Sequence, residues 1–303
     1  MRSTRAVRLL ASALLVGILL CASPAVGGEP PAVLEVTETS AWRPPSPDPM
    51  GLAYLRRTGE LVVSDSEVDE MAVFGGGTVF FAGLDGRLAS AVDMTTITSE
   101  PADVATGRRG RVLVFVDDDQ NRVVFVRRGR DRRWGSADDR VRSFRTAPFG
   151  SRDPEGLGRG GGKLFLTDGR DARVYVIGPG GNGRFDGVPP EGDDRVTSFG
   201  TVPLGMRDPE DVAYDRATGY LWLISRRDRS IAVATQTGEL VTLIDISASG
   251  ILRPSGIVLV PSTDDASTLR VFVADRGLDN DRHPAENDGR LFEFAVARET
   301  APG

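Results

Sequence analysis

The 303-residue chain is poor in the side chains that most covalent and metal chemistry relies on. It has one cysteine (Cys21), one histidine (His283) and one lysine (Lys163), so nearly all of its 37 basic residues are arginine. With no thiol beyond residue 21 and a single imidazole, a cysteine nucleophile is excluded and a zinc site lacks its usual ligands. A Ser-His-acid triad would have to recruit His283, and no Gly-x-Ser-x-Gly turn is present. There is no phosphate-binding loop either, because Gly160-Gly161-Gly162-Lys163 stands at a hairpin and not before a helix. What these absences leave is oxygen-ligated metal with carboxylate acid–base chemistry, and no nucleotide or organic cofactor is expected.

Long apolar runs are scarce as well. Leu9–Leu20 follows the basic residues Arg2, Arg5 and Arg8 and precedes small residues around Ala22–Gly28. That order reads as a secretory signal peptide over 1–27, and the run is short for a membrane anchor. Cys21 follows Leu20, whereas a lipoprotein processing site prefers a small residue there. A secreted or periplasmic protein is therefore expected, with residues 28–303 as one domain. Removing the leader takes the formal charge from −6 to −9 and leaves a thiol-free chain. An acidic balance disfavours nucleic acid and anionic membrane surfaces as partners. No later stretch is long and apolar enough to span a bilayer, so an integral membrane protein is not expected.

What the chain has is glycine (36), proline (19) and an internal repeat. Asp139-Arg140-Val141-Arg142-Ser143-Phe144-Arg145-Thr146 returns 55 residues later as Asp194-Arg195-Val196-Thr197-Ser198-Phe199-Gly200-Thr201. The match runs on through Asp153-Pro154-Glu155 and Asp208-Pro209-Glu210, and weaker copies of the Pro turn begin at Asp48, Glu100 and Arg253. Each copy predicts four strands. A short first strand follows the Pro turn. A nearly all-apolar second strand (Leu61–Val63, Val112–Val116, Leu164–Leu166, Leu221–Ile224, Leu269–Ala274) reads as buried on both faces. It is followed by Asp65, Asp117, Asp168 and Asp275, with Ser225 in the fourth copy. A third and a more polar fourth strand complete the unit. Four antiparallel strands per 40–50 residues is the blade of a β-propeller. The prediction is an all-β, five-bladed propeller, with six blades or two stacked β domains as alternatives. The fifth copy lacks a fourth strand, and Val33–Thr39 is expected to supply it against Arg290–Ala295, closing the ring with both chain ends.

Pro-x-Gly-Leu/Ile (residues 49–52, 154–157 and 254–257), an apolar strand ending in Asp, and Arg173-Val174-Tyr175-Val176 resemble the NHL repeat. The same features are similar to the SMP-30/gluconolactonase-like and esterase-like phytase propellers. The resemblance spans roughly residues 48–295. It implies a propeller, and from the SMP-30-like group an axial metal for which the Glu155-Gly156 turn is the ligand match. Those enzymes also use asparagine ligands, and beyond residue 27 this chain has only Asn121, Asn182, Asn280 and Asn287.

Antiparallel blades place the Pro turns and the ends of the second strands on one face of the ring. That face gathers Glu100, Asp103, Asp153, Glu155, Asp168, Asp208, Glu210, Asp211 and Asp275. Glu155, Glu210 and Asp103 are candidate ligands for an axial Ca²⁺ or another ligand, because hard cations take several oxygens. Asp168 and Asp275 are candidate bases, although a repeated aspartate in this position reads first as a turn brace. The long loop Asp275–Gly289 adds Asp279, Asp281 and His283 to the candidate ligand set. On the opposite face Asn182, Asp186, Asp193 and Asp194 form a candidate structural calcium loop, with a glycine-rich connector as the plain alternative. Two functions stay open. One is an exported binding or scaffold module, calcium-stabilised, taking a small molecule or protein on the acidic-turn face. The other is a Ca²⁺-dependent hydrolase of the lactonase or phosphoesterase type.

Overall fold

A computed structural model describes residues 30–262, 267–278, 282–283 and 285–298. The leader assigned to residues 1–27, and the candidate ligands Asp279 and Asp281, lie outside the described residues.

Twenty strands follow in order, and among the described residues the only helical segments are single 3₁₀ turns. β1 (Ala32–Glu38) comes first. The first blade is β2 (Pro49–Leu55), β3 (Glu60–Asp65), β4 (Val79–Gly83) and β5 (Leu88–Val92). The second is β6 (Pro101–Thr106), β7 (Val112–Asp117), β8 (Arg122–Arg127) and β9 (Arg140–Arg145). The third is β10 (Pro154–Gly160), β11 (Lys163–Asp168), β12 (Arg173–Gly178) and β13 (Arg195–Gly200). The fourth is β14 (Pro209–Tyr214), β15 (Leu221–Ser225), β16 (Ser230–Ala234) and β17 (Leu240–Asp245). β18 (Pro254–Pro261), β19 (Thr268–Asp275) and β20 (Arg290–Ala297) make the fifth, completed by β1.

The sheets are thus five, each of four antiparallel strands, and the expected closure is present. β1 pairs β20 with Val33 opposite Phe294 and Val36 opposite Phe292. Five apolar clusters fill the five gaps between neighbouring blades. The gap that closes the ring holds Leu52, Leu61 and Val63 of the first blade against Val258, Phe272 and Leu291 of the fifth. Second strands pack against a neighbouring blade on each side, which is why they are apolar throughout: Val62, Val63, Phe165, Leu166 and Leu223 are fully buried.

First strands line the axis, where those of adjacent blades meet. Their pairing with the second strand breaks at the same place in every blade, just after the Pro: Pro49/Gly51, Pro101/Asp103, Pro154/Leu157, Pro209/Asp211 and Pro254/Ile257. Proline has no N–H to give the ladder, and the irregularity that results re-aims the next two side chains.

Candidate functional site

The third residue of the first strand reads Gly51, Asp103, Gly156, Asp211, Gly256 around the ring. Five blades leave a narrow axis, and a Cβ at the glycines has no room. At Gly51 it would overlap Asp103, at Gly156 the backbone of Asp211, and at Gly256 the carbonyl of Met50. The two aspartates cross to the next blade. Asp103 accepts from the Leu157 N–H, and Asp211 from the Ile257 N–H at 2.7 Å and the Val212 N–H. Both are buried, and no donor reaches Asp103 Oδ1. What faces it is Asp211. Burial, and then the Asp211 carboxylate, push Asp103 well above the usual carboxylate range, and burial raises Asp211 to about 6. Two carboxyl groups in contact cannot both ionise. The pair therefore favours one shared proton over two charges.

Above it, toward the Pro turns, lie Glu155 and Glu210, the second residues of the same motif. Glu210 is buried, and neither of its oxygens has a hydrogen-bond partner. Its ion-pair partner is Arg226, whose Nε stands 3.2 Å from Oε1 and is also bonded to Asp208 at 3.0 Å, and Arg276 and Arg253 add positive charge from further off. Burial lifts Glu210 to about 7. Burial together with Glu210, Asp118 and Asp153 holds Glu155 well above its ordinary value. Glu100 is raised to about 8 and Asp118 to about 6, each by burial first and then by neighbouring acids. Burial and mutual repulsion thus raise the carboxyl groups of the axial mouth together.

The residue after the end of each second strand completes this mouth: Ser66, Asp118, Gly169, Arg226 and Arg276. Gly169 leaves space for Glu155, since a Cβ there would press on its Cγ. Arg276 is buried and bidentate to Asp48 at 2.8 and 2.6 Å, with Glu67 at 2.7 Å, and so joins the fifth blade to the first. Asp118, Arg226 and Arg276 were not among the candidates. Aligning the position after the repeated aspartate would have found them.

The repeated aspartates are saturated with donors. Asp168 accepts from Ser151 Oγ (2.8 Å) and from the backbone N–H groups of Arg152, Asp153 and Asp171. Asp275 accepts from Leu252, Arg253 and Gly277 N–H groups and from Arg290 Nη2 at 2.6 Å. In the fourth blade Ser225 donates to Asp228 (2.8 Å), and Asp228 accepts from the Arg207 N–H, the same brace with the acid moved three residues on. Asp168 and Asp275 thus have the bonding of turn braces.

The candidate set separates in space. Glu155 and Glu210 share the mouth, Asp103 sits one layer beneath them, and His283 is exposed on its loop. Among the described residues, the only three acids whose oxygens lie within 4.8 Å of one another are Asp186, Asp193 and Asp194. Asn182 Nδ2 donates to Asp186 at 2.7 Å, and Asp194 Oδ2 accepts from the Asp186 and Gly187 N–H groups. Asp194 Oδ1 is buried and without a partner. In the matching loop of the second blade Asp139 uses both oxygens, on the Gly129 and Gly135 N–H groups.

No family model matches the chain, and no curated protein does. Solved structures match the fold. Glutaminyl cyclase from Myxococcus xanthus is 13% identical with a TM-score of 0.52, over 89% of this chain and 100% of that one. A gluconolactonase from Xanthomonas campestris is 16% identical with a TM-score of 0.46, over 89% and 96%. A streptogramin B lyase is 14% identical with a TM-score of 0.45, over 79% of this chain and 65% of that one. The match to the glutaminyl cyclase shows a shared fold and no more.

Proposed function

We propose that this is a binding propeller whose acidic mouth holds a hard divalent cation, Ca²⁺ by ligand type, and through it an oxygen-rich ligand. The observation that carries this reading is Glu210, whose two buried carboxylate oxygens lack hydrogen-bond partners and have Arg226 as their ion-pair contact, beside the half-buried Glu155. A buried carboxylate is costly unless protonated, paired or metal-bound. Glu155 and Glu210 supply oxygen ligands, Arg226 limits the excess negative charge, and the Asp103–Asp211 pair closes the floor. Asp186, Asp193 and Asp194 provide a second, structural calcium site, for which the unpartnered Asp194 oxygen speaks. Export by the 1–27 leader is part of the same proposal, because extracellular calcium fills weak sites.

Flow dialysis with Ca²⁺ tests it. Wild type binds two ions, E155Q/E210Q loses one, and D194N loses the other. A glutamine variant that binds as wild type does refutes the mouth site.

A hydrolase is the second reading, favoured by the acids of the mouth that titrate near neutrality, as general acids and bases do. In it Glu100 replaces Asp168 and Asp275 as the base. A wild-type protein inactive on lactones and phosphoesters with Ca²⁺ present removes this reading.

A further inference from the structure

The opposite end of the axis has the opposite character. Beyond the Asp103–Asp211 layer the fifth residue of the first strand is small in four blades: Ala53, Ala105, Gly158 and Ala213. Small residues at this level leave an axial cavity of about 460 Å³, within the range of small-molecule sites. Aliphatic side chains, among them Leu55, Val104, Ile257 and Leu259, line it between polar groups, while Tyr214 at its edge stacks on Phe165 at 5.7 Å.

The rim is cationic. Arg56, Arg57, Arg109, Arg159, Arg216 and Arg298 line it, and among the described lining residues the one carboxylate is Asp215, which Arg298 pairs at 3.2 Å. On a chain with a formal charge of −6, this concentration of one sign is local. All six are arginine, whose planar fork matches carboxylate, sulfate and phosphate groups bidentately. Arg109 also sits at φ 60°, a left-handed conformation that glycine takes freely and side chains avoid. A residue held there places its guanidinium at the mouth of the cavity.

We infer that this cavity is a second ligand site, for an amphipathic organic anion: an acyl or aryl body in the cavity with one acid group on the arginine rim. The floor decides the orientation. The buried Asp103 and Asp211 carboxyl groups lie one layer beneath the cavity, so a compact anion gains nothing by sinking to the bottom, whereas an apolar body fits there. The closed axial layer separates this site from the acidic mouth, so it stands or falls apart from the proposal made for that mouth.

The test uses the full chain and two dyes with the same apolar body. These are 8-anilinonaphthalene-1-sulfonate and its uncharged analogue N-phenyl-1-naphthylamine. Wild type should bind one sulfonate dye per chain in a saturable titration. R57E/R109E changes two exposed residues, and its melting temperature serves as the check on folding. It should lose at least tenfold in affinity for the sulfonate and less than twofold for the neutral dye. R57K/R109K should restore most of the sulfonate affinity. T106W, which narrows the cavity, should weaken both dyes. Lack of saturable binding, equal losses of both dyes in R57E/R109E, or full affinity in T106W overturns the inference.

Discussion

At the residue scale, what sets this propeller's axis is one alternation, glycine where the next strand is too close and aspartate where a carboxylate can bridge to it. Two substitutions probe it. Gly51→Ala pushes a methyl group into Asp103 and should cost about 1–3 kcal/mol in a urea titration, as overpacked sites do. Asp103→Asn should behave differently. The amide oxygen still accepts from the Leu157 N–H, and Nδ2–H takes over the hydrogen bond to Asp211. The folded chain holds the Asp103 proton well above the pH at which the unfolded chain releases it. Wild-type stability therefore falls as pH rises past the ordinary carboxylate range. The asparagine variant escapes that loss. Its melting temperature should equal or exceed wild type at pH 8, with the difference vanishing toward pH 4. A less stable variant at pH 8 contradicts the shared proton.

At the element scale, the blades and their closure were readable from the repeat because each strand keeps its own signature. Second strands are apolar throughout since both faces meet other blades, and β1 was legible as the missing partner of β20. Ring closure has a side-chain clasp besides that pairing. Removing Arg276 leaves Asp48 fully buried and uncompensated, so Arg276→Ala should cost about 3–5 kcal/mol by chemical denaturation. A loss below 1 kcal/mol would show that β1 pairing alone closes the ring. In the 178–194 loop, Ca²⁺ at a hundredfold excess over its Kd should add about 2.7 kcal/mol. Chelator should remove that gain from wild type and leave the melting curve of Asp194→Asn unmoved. The site was less legible than the fold. Asp168 and Asp275 stood out as repeated acids, yet repetition here reflects turn bracing, as Ser225 with Asp228 makes plain. The proton shared by Asp103 and Asp211 depends on two residues 108 positions apart meeting across the axis, which no local pattern encodes.

At the scale of the whole molecule, the propeller is electrically polar along its axis, acidic carboxyl groups at one end and an arginine rim at the other. Five carboxyl groups of the acid end are shifted the same way. Glu100 at about 8, Glu210 and Asp65 at about 7, and Asp118 and Asp211 at about 6 are all raised, with burial the largest cause of each. All five shifts have one sign, so the calcium-free protein should melt at progressively lower temperature as pH rises from 4 to 8. Millimolar Ca²⁺ should flatten that slope. Cation binding at such a mouth must release protons. Calorimetric titration of Asp194→Asn with Ca²⁺ at pH 7, in two buffers of different ionisation enthalpy, measures that release directly. Binding with net proton release is expected, abolished by adding E155Q/E210Q. Binding that releases no protons, or release that survives the glutamine substitutions, would contradict it.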